Sequence, residues 1–306
     1  MDNLAGMQVF VAVVEAKSFT AAAERLRVSK AAVSKQVARL EDTLCARLLN
    51  RTTRQISLTE VGQTFYERAR RILADAEEAV AEVGLLQGEP RGQLRVNAPM
   101  NFGILYMAPL AAAFARRYPL VNLDIDFDDR YVDLVEEGYD VAIRIGQLQD
   151  SRLIAKRLAP VRRLLVASPA YLEKHGRPTL ISDLANHACL TYSLQRSGDA
   201  WPFVMPDGRI RTIAVPARVR ANNGHTLIAS VLADIGITML PIFAVAAELA
   251  SGAMVEIQLD GEPTPIAVHA VYPHSRLLST KVRLFIEELA AAFADPAPWE
   301  VLARSS

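Results

Sequence analysis

The chain has 306 residues, 34 basic against 34 acidic, and 51% of them are hydrophobic. That length fits two or three compact units, each able to bury a core, and charges break every apolar run well short of the roughly 20 residues that span a bilayer. The two cysteines, Cys45 and Cys189, lie far apart with no C-x-x-C or Cys/His cluster that would suggest zinc or a redox pair.

Met7, Phe10, Val11 and Val14 recur at helical spacing and predict an amphipathic scaffold helix over 4–16. Ser18 precedes Phe19–Leu26 and Ser29 precedes Lys30–Leu40, and each hydroxyl suits the cap of a helix. A connection of three residues forces a steep crossing, the helix-turn-helix geometry that places its second helix in a major groove. Val33, Val37 and Leu40 share the packing face of that second helix. Lys30, Ala31, Ser34 and Lys35 share the other, where small residues allow close approach and lysines reach base acceptors or phosphates.

From Arg25 to Arg54 eight basic residues stand against Glu41 and Asp42, a local charge of +6. Coinciding with the capped helix pair, this is the electrostatic footprint of double-stranded DNA binding. Asn50 to Leu58 predicts a wing hairpin with Arg51 and Arg54 along the backbone or minor groove. The expected DNA-contacting set is Ser29, Lys30, Ala31, Ser34, Lys35, Arg39, Arg51 and Arg54, with Arg39 on a phosphate.

Thr59 suits a third cap, with Glu60 in the first turn. Phe65, Ala69, Ile72, Ala76, Ala79, Val83 and Leu86 follow at alternating spacings of 4 and 3, a heptad seam opposite a charged face. The pattern predicts a self-pairing helix over 59–87, about 44 Å long at about 1.5 Å per residue. Gly88 to Gly92 then breaks the helix as a hinge.

From Leu94 short β-branched strands alternate with helices, which predicts parallel βαβ units. The first set holds LRVNA, a helix over about 103–117, VNLDIDF, a helix ending at Gly138, and DVAIRIG. The second holds LLVAS, a helix around Tyr171, CLTYS, a hairpin across Pro206-Asp207-Gly208, ARVRA, a helix from Gly224, GITML and a helix from Ile242. IAVHAVY and the helix from Thr280 to Phe293 return to the first lobe. The expected division is 1–58, 59–87, a hinge at 88–92 and 93–306, with lobe 1 at about 93–162 and 268–306 and lobe 2 at about 163–267.

Ligands of open α/β sheets settle beyond the carboxyl ends of strands, where helix N-termini offer N–H groups. That rule selects Pro99, Met100, Asn101 and Phe102, then Asp128, then Arg144 to Gly146, then Asn222 to His225. Arg144 favours a carboxylate, phenolate or similar oxygen, and Met100 and Phe102 an apolar or aromatic body. Arg144 reads equally as a structural partner of Asp126 or Asp128, and Asn222 and Asn223 equally as helix caps. Ser168 reads as a cap and lacks a nucleophile elbow, and the five histidines lack metal spacing, so no catalytic residue, metal or cofactor is expected. Both thiols read as inert, with thiol sensing by Cys189 as the alternative.

The runs SFTAAAERLRVSKAAVSKQVARLEDTL and RLLNRTTRQISLTEVG resemble, nearly residue for residue, the signature of LysR-type transcriptional regulators. The resemblance extends over nearly the whole chain. It implies a winged helix-turn-helix followed by an effector domain of two α/β lobes, periplasmic-binding-protein-like, with a small molecule between the lobes. It also implies pairing of the linker helix between subunits, a homodimer or homotetramer, and an effector pocket lined by the 99–102, 144–146 and 222–225 segments, hence Pro99, Met100, Asn101, Phe102, Arg144, Gly146, Asn222 and Asn223. RNA polymerase is a further candidate partner. The chain departs from the family at Lys30-Ala31, often glutamine-proline, at Cys45, usually glycine, and at Asn101, where a smaller side chain is common. No basic stretch leads into an apolar segment at the start, so the expected location is the cytoplasm, with no membrane partner. A metabolic enzyme or transport-type binding protein is the rival reading, and the lack of a phosphate loop or catalytic constellation argues against it.

Overall fold

The computed structural model describes residues 2–51, 56–83, 89–146, 148, 153–195, 198–274 and 278–304. They divide into two compact units, Met1–Gly88 and Glu89–Ser306. Arg54, Leu86 and Gly88, all named above, lie outside the described residues.

The first unit contains α1 (Asp2–Ala16), α2 (Phe19–Leu26), α3 (Lys30–Thr43), the strands β1 (Leu49–Arg51) and β2 (Ile56–Leu58), and α4 (Glu60–Val83). Ser18 Oγ accepts the Ala21 N–H at 3.3 Å and starts α2; Arg27, left-handed at φ 56°, ends it. Ser29 Oγ accepts the Ala32 N–H at 3.2 Å and starts α3. Thr59 Oγ1 does the same for Gly62 at 2.9 Å at the head of α4. The expected apolar stripe on α1 is wider than its spacing suggested. Val9, Phe10, Val11, Ala12 and Val13 are all buried, because α2, α3 and α4 pack around the helix rather than against one face. Phe10 lies at the centre, with the Phe65 and Tyr66 rings of α4 at 5.6 and 6.5 Å. β1 and β2 pair antiparallel, Leu49 opposite Leu58, as the wing.

The second unit begins with β3 (Gly92–Ala98) and α5 (Met100–Phe102), which passes through a π turn at Gly103–Met107 into α6 (Ala108–Arg117). Next come β4 (Val121–Phe127), α7 (Leu134–Glu137), β5 (Val141–Gly146), β6 (Leu153–Val161), β7 (Arg163–Ala167), α8 (Pro169–His175) and β8 (Cys189–Tyr192). β9 (Ala200–Val204), β10 (Ile210–Ala214), β11 (Ala217–Ala221), α9 (Gly224–Leu232), β12 (Ile237–Pro241) and α10 (Ile242–Ala250) complete most of the second lobe. After β13 (Val255–Glu256) and β14 (Glu262–Pro263) the chain returns through β15 (Ile266–Pro273) to α11 (Thr280–Ala292) and α12 (Pro298–Arg304).

Two five-stranded sheets result, ordered β4-β3-β5-β15-β6 and β11-β8-β12-β7-β13. Parallel pairing holds only for β4-β3-β5 and β11-β8-β12; β15, β6, β7 and β13 are antiparallel to their neighbours. The expected parallel βαβ units are found in those two three-strand groups, and the antiparallel strands include the crossovers β6 and β15. A chain leaving one lobe and later returning to it must run in opposite senses through the same sheet. β6 was missed from sequence because an edge strand carries charge on its open side, here the exposed Lys156 and Arg157.

In the first sheet Leu94, Val96, Ala98, Val141, Ile143, Val268 and Ala270 face one core. Alternation sends Asn97, Arg144 and His269 to the other face. Phe102, Tyr106, Phe243, Phe293 and Trp299 form an aromatic cluster with ring centres 5.2–6.3 Å apart, which joins residues of both lobes. Cys189 is fully buried and desolvation pushes its thiol up to about 12, so thiolate chemistry there is suppressed. Ser168 caps α8 through the Tyr171 N–H and donates to Asp234, a structural role.

Candidate functional site

On α3 the residues that pack and those that face outward separate cleanly. Val33, Val37 and Leu40 are buried, while Ser29, Lys30, Ala31, Lys35 and Arg39 are exposed and Ser34 is half-buried. The Ser29 hydroxyl oxygen is engaged with Ala32 N–H, so the cap fixes the end of α3 that carries Lys30 and Ala31. Arg25 pairs with Glu15 at 2.8 Å, which diverts one of the eight cations counted from sequence. Arg51 closes the described part of β1, opposite Ile56.

Along α4 the expected seam is divided. Ala69 is fully buried and Phe65 packs on Phe10, so both belong to the core of their own unit rather than to a partner's helix. Ile72 is 43% exposed and Ala76 is half-buried. Heptad spacing alone cannot distinguish a residue covered by its own domain from one awaiting a second helix. Ala79 and Val83 continue the helix beyond.

In the second unit the strand-end segments converge. Asn101 follows β3 and is 7% exposed; its Oδ1 lies 2.5 Å from His225 Nδ1 at the start of α9. Gly224, one residue earlier, approaches so closely that a Cβ there would sit 2.4 Å from Asn101 Nδ2 and would displace that side chain. That Nδ2 is buried without a hydrogen-bond partner. Arg144, 9% exposed, donates through Nη1 to Asn97 Oδ1 at 2.6 Å and to the Ile143 carbonyl at 3.2 Å, while its Nη2 is buried and unpartnered. Its Cζ lies 5.3 Å from the centre of the Tyr131 ring. Burial pulls the Arg144 pKa down.

The two carboxylates weighed as structural partners of Arg144 are engaged elsewhere. Asp126 accepts from Tyr139 at 2.8 Å, and Asp128 takes the Arg130 N–H at 2.8 Å and its guanidinium at 2.6 Å. Those contacts with Arg130 hold the Asp128 carboxyl below the usual carboxylate range.

Phe102 packs into the hydrophobic core. It is fully buried in the aromatic cluster, because the turn after β3 rotates it into the core while Met100 remains 41% exposed. Asn223 caps α9 through the Thr226 N–H at 2.9 Å and donates to Asn222 Oδ1 at 3.2 Å, so the capping alternative holds for it. Pro99 precedes α5 and Gly146 ends β5. Sequence reasoning missed Asn97, Tyr131 and Asp129, whose carboxylate accepts the Met100 N–H at 2.9 Å. Asn97 gave no separate signal, since it continues the polar alternation Gln93, Arg95, Asn97 of a strand whose other side is Leu94, Val96 and Ala98. No group of three or more His, Cys, Asp or Glu among the described residues could hold a metal ion, and no described helix is long and apolar enough to cross a membrane.

Residues 4–63 match the family model of the bacterial regulatory helix-turn-helix protein, lysR family, and residues 87–294 match that of the LysR substrate binding domain. The chain is 39% identical over 291 residues to the HTH-type transcriptional regulator PtxR of Pseudomonas aeruginosa, covering 94% of this chain and 92% of that one. It is 38% identical over 290 residues to the regulator CrgA of Neisseria meningitidis, covering 94% and 96%. The solved structure of CrgA, a LysR-type transcriptional regulator, superposes with a TM-score of 0.61 at 35% identity, covering 95% of this chain and 99% of that chain. The full-length Vibrio cholerae virulence activator AphB gives 0.59 at 29%, covering 94% and 98%. With a capped, exposed recognition helix and a two-lobed α/β domain in one polypeptide, the chain belongs to the LysR family of DNA-binding transcriptional regulators and is not an enzyme.

Proposed function

We propose that this regulator reads promoter DNA through Ser29, Lys30, Ala31, Ser34 and Lys35, neutralises phosphates through Arg39, Arg51 and Arg54, and answers to a carboxylate-bearing effector held between its lobes. The observation that carries the effector class is a pair of buried donors without protein partners, Arg144 Nη2 and Asn101 Nδ2. Each unsatisfied buried donor costs about 1–3 kcal/mol, and a ligand supplying oxygen acceptors removes that cost. Pro99, Met100, Gly146, Asn222 and Asn223 border the same strand and helix ends, and Asp128 stands near as an anion already neutralised by Arg130. The proposed division is a DNA-binding domain over 1–58, a linker helix over 59–87, a hinge at 88–92 and an effector domain over 93–306.

Pairing of α4 from Ile72 onward makes the homodimer, two of which form the tetramer. Effector binding shifts the population between lobe arrangements, with a coupling of about 1–3 kcal/mol. The regulator works in the cytoplasm and contacts RNA polymerase at the promoter. Gel-shift titration on the chain's own upstream region tests the DNA part: affinity falls about 10³- to 10⁵-fold between 50 and 200 mM salt for 6–10 phosphate contacts. Salt-insensitive binding would refute it. Calorimetry with succinate and benzoate against their uncharged amides tests the effector class. Equal affinity for acid and amide refutes a carboxylate site.

A further inference from the structure

The two backbone N–H groups that begin the wing are satisfied by neither the wing nor water-facing side chains of the hairpin, but by the recognition helix. Glu41, in the last turn of α3, accepts both the Leu48 N–H at 2.8 Å and the Leu49 N–H at 3.1 Å through the single oxygen Oε1. Leu48 and Leu49 are themselves buried, so the segment is held by backbone and side chain together. The same peptide is gripped from the other side by α4. The Leu48 carbonyl accepts from Thr59 N at 3.0 Å and Thr59 Oγ1 at 3.3 Å, and a Cβ on Gly62 would stand 2.0 Å from that oxygen.

We propose that Glu41 is a positioning residue for DNA binding, whose carboxylate fixes the wing relative to the reading face of α3. Glu41 lies on the same rigid helix as Lys35, six residues on and about 9 Å along the axis at about 1.5 Å per residue. A wing hung from that helix is indexed to the bases α3 reads, so groove contact and phosphate contact are made in one register. Hydrogen bonds to an ionised acceptor are short and directional, which suits a carboxylate to this task. Its acidity is otherwise unfavourable beside a phosphate backbone, so the position exchanges some electrostatic attraction for geometry. The proposal rests on the reading that the wing touches DNA.

The test compares the full-length chain with Glu41→Ala, Glu41→Gln, Glu41→Asp and Arg54→Ala by hydroxyl-radical footprinting and salt titration on the upstream region, with thermal melting to verify folding. Glu41→Gln retains an oxygen that accepts both N–H groups and keeps the parental footprint. Glu41→Ala and Glu41→Asp, the latter one methylene short, lose protection at the wing-facing flank. Their slope of log affinity against log salt flattens by about 0.9 per wing phosphate released, towards that of Arg54→Ala, while discrimination between the site and single-base variants read by α3 persists. If Glu41→Ala fails to fold, the contrast between Glu41→Asp and Glu41→Gln decides. A parental footprint for Glu41→Asp, or loss for Glu41→Gln, overturns the proposal. An unchanged footprint for Arg54→Ala refutes the wing reading itself, whatever Glu41 does.

Discussion

Replacing Arg144 by methionine separates ligand recognition from packing. Methionine keeps an unbranched stem beside the Tyr131 ring and removes the guanidinium. In the ligand-free protein two effects oppose each other. Asn97 Oδ1 loses the donor at 2.6 Å, which costs about 1–3 kcal/mol. Against that, a buried cation with an unpartnered Nη2, hydrogen-bonded to an amide and a carbonyl rather than to a carboxylate, is eliminated. Burying such a charge carries a penalty of several kcal/mol, so the two terms offset to within about 2 kcal/mol. For a domain of this size that corresponds to a thermal midpoint shift of roughly 4–8 °C at most. Carboxylate binding, by contrast, loses a charge-assisted hydrogen bond of about 1.5–3 kcal/mol, a roughly 10- to 150-fold weaker Kd. Differential scanning calorimetry of parent and variant, without ligand and with saturating carboxylate, measures both quantities, and a gel shift checks that DNA affinity is kept. A midpoint lowered by more than about 15 °C, or an undiminished response to carboxylate, would show that Arg144 serves structure alone.

Lys35→Ala relaxes discrimination at the base it reads by about 1–3 kcal/mol, whereas Arg54→Ala weakens specific and random duplexes alike and reduces the salt slope by about 1; parallel gel shifts on both kinds of DNA tell them apart, and identical behaviour contradicts the assignment. Cys45 follows α3 at φ 50°, a left-handed conformation that favours glycine. Cys45→Gly therefore stabilises the protein by about 0.5–1 kcal/mol in urea unfolding, the relief of backbone strain exceeding the added flexibility of the unfolded chain; a destabilised variant would show that the Cys45 Sγ contact with the Asp42 carbonyl matters more. In thiol titration at pH 8 the exposed Cys45 reacts first and the buried Cys189 only on unfolding. Because the folded-state pKa of Cys189 is raised to about 12 from an ordinary 9.0, its contribution to stability is complete below about pH 9 and is lost as pH rises towards 12. A Cys189→Ala variant flattens that alkaline limb, and an unaltered limb would assign it to other groups.

The recognition machinery was legible because it is local. Caps at Ser18, Ser29 and Thr59 act over three residues, and the burial of Val33, Val37 and Leu40 follows from helical periodicity within α3. Rules of that range survive without knowledge of the rest of the chain. The βαβ alternation was legible for the same reason, since each strand and helix carries its own pattern.

What tertiary structure decided are the cases in which one pattern permits two environments. Phe102 and Met100 are two residues apart in a strand-end turn, and only the packing of Phe243, Phe293 and Trp299, over 140 residues later in the chain, sends one inward and leaves the other exposed. Ala69 belongs to the heptad seam by spacing and to its own domain's core by contact with α1. Arg144 shared its sequence with two plausible carboxylate partners, and the register of β3 against β5 gave it Asn97 instead. Sequence thus determined the capped recognition helix and its charge, because those interactions close within a turn or two. It did not determine which donors would be buried without partners, because satisfaction of a hydrogen bond depends on strands and helices that meet only when both lobes have folded.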